Sequence, residues 1–178
     1  ALFRYNATIS SRNVPTSILI KNKFDYSRSR INGLKKAYNN NLLVNNDNNI
    51  DLFWQILTTN LKDRYDKEPV HSLSELKFLK ERFTNNIELF SVSDAEGEMF
   101  GGCLVFITDT VVHAQYTAAT EEGKRKGAID AVVNHIIGAY PEKKYFDYGI
   151  STENHGWYLN ESLIYQKEGF GARGIVYD

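Results

Sequence analysis

The residues best suited to chemistry lie in the last third of the chain, where a polar cluster separates two hydrophobic segments. The apolar run Tyr145–Gly149 is followed by the polar cluster Ser151, Thr152, Glu153, Asn154 and His155. An amphipathic segment comes next and ends in Lys167, just before a glycine-flanked phenylalanine. A strand, a polar turn and a helix in this order place a site at the carboxyl end of the strand. We expect Asp147, Glu153 and Asn154 to contact a polar substrate there.

Each of these three side chains also has a structural role as an alternative to substrate binding. Asp147 lies inside an apolar strand, so it must be paired or hydrogen-bonded, and we favour an orienting role over that of a general base. Glu153 and Asn154, like Asn160 further along, are equally suited to turns and helix caps. Lys167 is the strongest single candidate, because an ammonium there would stabilise negative charge developing on a substrate oxygen or phosphate. Its alternative is a lysine that interacts with a helix carboxyl terminus.

A second group of candidates lies in the middle of the chain. His71 follows Pro69 in a loop, where a histidine can accept a proton from an amine or simply be exposed. Tyr116 ends a predicted strand and is a candidate wall or hydrogen-bond donor of the site, with a core role as the alternative. His113 and Gln115 alternate with Ala114 and Tyr116, so the two pairs are predicted on opposite faces of the sheet. We expect one pair to face a cleft and assign His113 and Gln115 to substrate binding.

Charge is distributed unevenly along the 178 residues. The first forty residues hold eight Lys or Arg and the single acid Asp25, whereas the remainder is net acidic. This distribution favours an anionic ligand near the amino end, or a solvated basic face. Arg28 and Arg30 are separated by one residue and cannot share one helix face. We therefore expect them to bind phosphate only if they lie at a helix start.

Composition limits the class of protein. The length fits a single domain over residues 1–178, and a first residue that is not Met suggests a fragment or a processed product. Cys103, the only cysteine, lies in an apolar run and is expected to pack as a small hydrophobe. The four histidines show no ligand spacing, so no metal is expected. No apolar stretch approaches a membrane span and the start does not resemble a signal peptide, so we expect a cytoplasmic protein.

Helical periodicity predicts five helices that would position these residues. They are Tyr26–Asn40, the segment from Ile50 through Leu61 that stops before Pro69, the segment opened by the capping-box sequence Ser72–Glu75, Lys126–Tyr140, and a helix near Tyr158–Lys167.

Alternation and apolar runs predict strands between these helices. They are Leu2–Ser10, Ile87–Ser93, Met99–Ile107, Val111–Tyr116, Tyr145–Gly149 and Gly174–Tyr177, with Leu42–Val44 as either an edge strand or a link. The Asp94–Gly97 sequence is typical of a hairpin turn. Met99–Ile107 is apolar on both faces and should be central. The predicted fold class is α/β (α+β), a mixed, largely antiparallel central sheet with helices on both faces.

This order of elements resembles the GNAT acyltransferase superfamily, and the local sequences resemble its FemAB-related, peptidyltransferase-like branch. Four stretches carry the likeness: Ser27–Asn32, Arg64 through His71, His113–Tyr116, and Phe146–Gly149 with Lys167–Gly171. The resemblance spans nearly the whole chain and implies a GNAT-like sheet that opens near Tyr116. It also implies that Lys167 faces donor and acceptor, and that a second, related domain precedes this one in full-length members.

One segment departs from the GNAT pattern. Members that use acetyl-CoA hold its pyrophosphate in a glycine-rich turn at a helix start. Here that location reads Glu121-Glu122-Gly123-Lys124-Arg125-Lys126-Gly127-Ala128. Gly123, Lys124 and Gly127 are the candidate cofactor-binding residues, and a solvated loop that caps a core helix is the alternative. No tightly bound cofactor is expected; acyl-CoA and aminoacyl-tRNA are both candidate co-substrates.

The resemblance implies an acyl- or aminoacyl-transferase whose acceptor is an amine of a peptide, sugar or amino acid. The amine would attack the activated acyl carbon directly, with backbone N–H groups near Tyr116 and the Lys167 ammonium stabilising the oxyanion. His71, water or a substrate phosphate would accept the proton. The alternatives are an acyl-CoA-dependent N-acetyltransferase of a small metabolite, and a catalytically silent domain that binds RNA or a nucleotide sugar. A tRNA donor is a candidate partner, and the sequence indicates no oligomeric state.

Overall fold

A computed structural model describes residues 10–22 and 25–176 of the chain, and its main feature is a seven-stranded mixed sheet. The strands in chain order are β1 Pro15–Leu19, β2 Leu43–Asp47, β3 Ile87–Ser93, β4 Met99–Ile107, β5 Val111–Ala119, β6 Tyr145–Ile150 and β9 Arg173–Gly174, with a separate ribbon of β7 Thr152–Glu153 and β8 Tyr158–Leu159. Their spatial order is β2-β3-β4-β5-β6-β1-β9. All neighbouring pairs are antiparallel except β5 and β6, which run parallel.

In the part of the chain that the structure describes, six α-helices cover both faces of this sheet. They are α1 Arg28–Asn39, α2 Ile50–Tyr65, α3 Leu73–Arg82, α4 Glu121–Lys126, α5 Ala128–Ala139 and α6 Glu161–Glu168. The apolar stripe of α5 packs on one face, in a core that includes Val132, Ile136 and Phe146. Helices α2 and α3 pack on the other face through residues such as Phe53 and Leu76. The predicted mixed, largely antiparallel sheet with helices on both faces is confirmed.

Strand β4 is central, as its two apolar faces predict. Residues of β4 belong to both cores, with Val105 facing α5 and Leu104 facing α2. Cys103 is fully buried on β4, and Thr117 Oγ1 donates to its Sγ at 3.3 Å. Burial raises the pKa of the Cys103 thiol to about 12. The expected packing of Cys103 as a small hydrophobe is confirmed.

Local capping signals set several helix starts. The Ser72 hydroxyl accepts the backbone N–H of Glu75, and the Glu75 carboxylate accepts the backbone N–H of Ser72. This reciprocal pair is the capping box that the sequence predicts for α3. Ser27 caps α1 with a single bond, in which its hydroxyl accepts the backbone N–H of Arg30.

The predicted helix Lys126–Tyr140 is wrong at its start, because two helices meet at Gly127. Helix α4 ends there with Gly127 at φ +89°, and α5 begins at Ala128. A Cβ on Gly127 would lie 2.3 Å from the Gly33 carbonyl oxygen of α1. A left-handed glycine is therefore required both by the backbone conformation and by the close approach of α1.

Other boundaries also differ from the predictions. Strand β1, which pairs with β6 and β9, was not predicted, and Leu43–Asp47 forms an edge strand rather than a link. Helix α6 begins at Glu161 because Tyr158 and Leu159 pair in the small ribbon. Except for Ser10, the predicted strand Leu2–Ser10 lies outside the described residues, as does Tyr177.

Candidate active site

A cleft opens where the parallel strands β5 and β6 separate. Their pairing covers only three residues on each strand and ends at His113 and Asp147, although β5 continues to Ala119. The resulting cavity has a volume of about 530 Å³. Residues from both walls line it, including Ala114, Gln115, Thr117, Tyr148, Ile150 and Lys167. Helices α1 and α2 also contribute residues to its rim.

A β-bulge in β5 lies at the mouth of this cleft. Tyr116 pairs with Leu104 and Ala114 pairs with Val105, so Gln115 is the extra residue. The bulge reverses the alternation of side chains, because His113 pairs with Phe106 and both Phe106 and Tyr116 belong to the α2 side of the sheet. The prediction that His113 and Tyr116 lie on opposite faces is therefore wrong. Both side chains lie on the α2 side.

Lys167 is buried in the wall of the cleft. Its side chain reaches from the last turn of α6 to the end of β6 and is 6% exposed. The ammonium donates to the carbonyl oxygens of Gly149 at 3.1 Å and Ile150 at 2.8 Å, and to Ser151 Oγ at 2.9 Å. An ammonium has three donors, so all three are satisfied within the protein. Lys167 thus fixes the carboxyl end of β6 with its charge beside the cleft.

Burial changes the acidity of this ammonium. Desolvation lowers the pKa of Lys167 from 10.5 to about 8, and the nearby negative charge of Asp147 opposes the change. Ser151 is itself 1% exposed and hydrogen-bonded to Thr16. The Ser151 hydroxyl therefore accepts a hydrogen bond from Lys167 and is not accessible to solvent.

Arg30 lies at the rim of the cleft, whereas Arg28 is the exposed first residue of α1. The Arg30 guanidinium is 2.8 Å from Asp130 Oδ1, though not aligned for a hydrogen bond, and stacks 5.4 Å from the centre of the Phe170 ring. Burial raises the pKa of Asp130, with Arg30 acting in the opposite direction. The two arginines thus lie at the helix start, where phosphate binding was expected.

His71 and Tyr116 contact each other on the α2 side of the sheet. The Tyr116 hydroxyl accepts the backbone N–H of His71 at 3.2 Å and lies 2.7 Å from His71 Nδ1. Both groups are satisfied when the hydroxyl donates its proton to Nδ1, which leaves the hydrogen of the ring on Nε2. Neither residue is among those that line the cleft, and their catalytic roles stay predictions.

His113 and Asp147 form a second polar pair. His113 Nδ1 lies 2.7 Å from Asp147 Oδ2, and the two side chains are 32% and 25% exposed. They are the last paired residues of β5 and β6, so the pair lies at the vertex from which the strands diverge. The structure thus brings together two residues that the sequence assigns separately to substrate binding.

Glu153, Asn154 and Asn160 lie in and beside the small ribbon. Asn160 caps α6 by accepting the backbone N–H of Leu163, and its amide donates to Glu153 Oε1 at 2.6 Å. Asn154 has φ +50° in a tight turn. Glu153 and Asn160 therefore have the turn and cap roles that were the alternative to substrate binding. Their contact with an acceptor stays a prediction.

Both glycines of the candidate cofactor segment, Gly123 and Gly127, lie in close contact with other parts of the chain. A Cβ on Gly123 would lie 2.2 Å from the Phe100 carbonyl oxygen, and Gly127 approaches α1 as described. Lys124 lines the cleft and is 2.6 Å from Glu121. The segment is therefore a short helix packed against its neighbours rather than an open glycine-rich turn.

Sequence reasoning missed several cleft residues. Asn60 and Arg64 of α2, with Lys124, line both this cleft and an adjoining cavity of about 570 Å³ beside α2. Gln166 and Tyr148 also line the cleft. Asn60 and Arg64 are four residues apart on a helix, a spacing that equally describes a solvated face, so the sequence contained no signal that distinguished them.

Residues 10–22 and 25–176 contain neither a cluster of metal ligands nor a membrane-spanning helix. No group of three or more His, Cys, Asp or Glu side chains in these ranges is arranged to hold a metal ion. None of the helices in them has the length and apolar character needed to cross a bilayer.

Comparison with known proteins gives matches in structure only. No protein-family model matches the chain, and no curated protein matches its sequence. Among solved structures, FemX superposes with a TM-score of 0.70 at 11% identity, over 90% of this chain and 59% of that one. The chain therefore shares the fold of FemX.

Two other solved structures share this fold. L-PGS from Bacillus licheniformis matches with a TM-score of 0.64 at 13% identity, over 98% of this chain and 62% of that one. The C-terminal domain of a protein from Agrobacterium fabrum, described as a lysylphosphatidylglycerol synthetase, matches with a TM-score of 0.65 at 9% identity. The match covers 91% of this chain and 57% of that one. The chain thus spans 57% to 62% of the length of these three solved chains. The GNAT-like, FemAB-related resemblance is confirmed at the level of fold.

Proposed function

We propose that this protein transfers an activated acyl or aminoacyl group directly to an amine, with the reaction taking place in the cleft between β5 and β6. The acceptor is an amine of a peptide, sugar or amino acid. The observation that carries this proposal is the early end of the β5–β6 pairing, at His113 and Asp147, in a fold shared with FemX.

The open edge of β5 supplies hydrogen-bond donors. A strand directs alternate N–H groups to its two neighbours, and among the described residues β5 beyond His113 has a strand neighbour only on the β4 side. Backbone N–H groups near Tyr116 are therefore available to an acyl oxygen in the cleft. Rigid donors that face the position of a developing oxyanion lower the barrier of acyl transfer.

Lys167 contributes positive charge to the same place. Its ammonium is held by three acceptors at the end of β6, so it acts on the cleft mainly through its field and by fixing the backbone that forms one wall. A charge in a water-poor site acts more strongly than one in bulk water. Arg30, Arg64 and Lys124 add cations along the rim, where they suit the phosphates of a donor.

Aminoacyl-tRNA is the donor that these contacts favour over acyl-CoA. The packed positions of Gly123 and Gly127 leave no open glycine-rich turn for a pyrophosphate. The basic residues near the amino end and along the cleft suit a polyanion. We place the protein in the cytoplasm on the basis of this donor.

The proposal is tested by measuring transfer. The protein is incubated with a panel of aminoacyl-tRNAs and acyl-CoA thioesters, each with a lysine-containing peptide, glucosamine and free amino acids as acceptors, and products are identified by mass spectrometry. Lys167→Met is compared with Lys80→Met. Lys80 also donates to a backbone carbonyl, that of Ile87, but lies on α3 away from the cleft.

We expect transfer from an aminoacyl-tRNA, a loss of about a hundredfold or more in kcat for Lys167→Met, and little change for Lys80→Met. Thermal unfolding of each variant separates lost catalysis from lost folding. Absence of transfer from every donor would contradict the proposal and favour a binding module for RNA or a nucleotide sugar. Transfer from acyl-CoA alone would retain the transferase and exclude the tRNA donor.

A further inference from the structure

The His113–Asp147 pair has the geometry of a general base with an orienting carboxylate. A carboxylate can only accept a hydrogen bond, so the contact of 2.7 Å between Asp147 Oδ2 and His113 Nδ1 places the ring hydrogen on Nδ1. Nε2 then carries the free lone pair. A carboxylate behind the imidazole fixes its tautomer and stabilises the imidazolium that forms when Nε2 accepts a proton.

The pair lies at the vertex of the cleft, where the pairing of β5 and β6 ends, and it is the residues next to His113 and Asp147 that line the cavity. Ala114 and Gln115, which follow His113, line one wall of the cleft, and Ile150 lines the other. The His113 ring lies against Gly149, since a Cβ added to Gly149 would be 3.3 Å from His113 Cε1. The carbonyl of this same glycine accepts the Lys167 ammonium. The imidazole and the ammonium therefore both lie next to Gly149 of β6.

His71, the other histidine on this face, is less suited to the task. Its Nδ1 is occupied by the Tyr116 hydroxyl, and the arrangement that satisfies both groups leaves its hydrogen on Nε2. Neutral His71 in this state has no free basic nitrogen. By contrast, His113 has a partially exposed ring and a carboxylate partner.

We propose that His113 is the general base of the transfer reaction and that Asp147 positions it, with the amine acceptor approaching from the α2 side of the sheet. This inference rests on the proposed acyl transfer but is independent of the donor. It assigns the proton step to a pair that the sequence assigned to substrate binding.

The proposed transfer forms one bond to the acyl carbon and breaks another. The acceptor nitrogen attacks the carbonyl carbon of the donor, forming the new C–N bond. The bond from that carbon to the leaving oxygen or sulfur breaks, and its electron pair stays with the leaving group. The amine proton moves to His113 Nε2 and then to the leaving group, which departs as an alcohol or a thiol. Asp147 remains a carboxylate throughout, and its negative charge stabilises the imidazolium of His113.

The test is chemical rescue in the transfer assay. His113→Ala is expected to lower kcat by about a hundredfold or more, with KM changed little. Added imidazole should restore transfer at least about tenfold, whereas pyrazole, which is of similar size but a much weaker base, should not. Asp147→Asn should lower kcat without rescue. His135→Ala is the control, since this exposed histidine of α5 contacts Phe90.

Several outcomes would overturn the inference. Wild-type transfer that His113→Ala leaves intact, or a loss that imidazole and pyrazole restore equally, would make the pair a structural link between β5 and β6. Rescue of His71→Ala in place of His113→Ala would move the base to His71. If no donor is used by the wild-type protein, the proposed function fails instead.

A measurement without substrate tests the same pair. Nitrogen-15 NMR of the imidazole should show His113 in the Nδ1–H tautomer, changing to a mixture in Asp147→Asn. An Nε2–H tautomer in the wild-type protein would contradict the inference whatever the reaction.

Discussion

Lys167 is the residue whose chemistry depends most on its surroundings. Desolvation lowers its pKa to about 8, so the ammonium becomes a neutral amine at a pH where an exposed lysine is still charged. If its charge stabilises the transition state, transfer should fall as the pH rises above about 8. The measurement is the pH dependence of kcat, with integrity of the fold followed by circular dichroism. A rate that stays constant to pH 10 would show that the charge is not required.

Asp147 also affects the pKa of Lys167. The Asp147 carboxylate raises the pKa of Lys167 against the effect of burial. Asp147→Asn should therefore lower that pKa further, because only desolvation then remains. Nitrogen-15 NMR titration of the side chain measures it directly. An unchanged value would show that the two charges do not interact appreciably.

The Tyr116 hydroxyl offers a prediction that separates structure from catalysis. Tyr116→Phe leaves the backbone N–H of His71 without its acceptor, so we expect a loss of about 1 kcal/mol or more in the free energy of unfolding. Urea denaturation measures this loss. A fall in kcat much larger than the loss of stability explains would instead support the catalytic role that the sequence suggests for Tyr116.

At the scale of elements, the junction between α4 and α5 depends on glycine. Gly127→Ala must place a Cβ at φ +89° and 2.3 Å from the Gly33 carbonyl, so we expect it to lower the free energy of unfolding by at least about 2 kcal/mol. Gly138→Ala is the matched control within α5, because nothing lies within 4 Å of its added Cβ. That substitution should stabilise the protein by about 0.5 kcal/mol. Equal effects in thermal unfolding would contradict this account of the junction.

The same junction illustrates the limits of sequence patterns. Apolar residues from Ala128 onwards continue the helical period of a stripe, and periodicity alone does not reveal that α1 approaches the chain at Gly127. By contrast, the capping box at Ser72 and the apolar run of β4 are local signals, and both elements formed as predicted. Helices and strands with a strong local pattern were therefore predictable from the sequence.

Some residues that line the cleft, such as Lys167 and Gln115, were named from the sequence, but the geometry of the cleft was not predictable. Lys167, His113 and Asp147 stood out by type and position, but the face on which Tyr116 lies relative to His113 depends on one extra residue in β5. The bulge at Gln115 reverses the faces of everything that follows, and no residue type in His113–Tyr116 indicates it. The contributions of Asn60 and Arg64 arise from the packing of α2 against the sheet, which is a tertiary property.

For the whole molecule, the distribution of charge predicts how it binds RNA. The first forty residues are strongly basic, and Lys35 and Lys36 are exposed on α1. If four phosphates are contacted, affinity for tRNA should fall roughly a hundredfold between 50 and 200 mM salt. The double variant Lys35→Glu, Lys36→Glu should weaken binding and reduce the salt dependence, as measured by fluorescence anisotropy.

The control for this prediction is the other adjacent lysine pair, Lys143 and Lys144, which precedes β6. Changing both to Glu alters the net charge equally but outside the basic region. If both double variants weaken tRNA binding to the same extent, overall charge alone accounts for the affinity.

The single thiol in the middle of β4 makes the native protein inert to cysteine-directed reagents. Cys103 is fully enclosed, and its raised pKa keeps it protonated and unreactive at neutral pH. Modification by a maleimide therefore requires the centre of the sheet to separate. The labelling rate then measures how often the whole fold opens. A cysteine introduced on an exposed ribbon residue such as Trp157 would take up a fluorophore alone, with no need to remove the natural one.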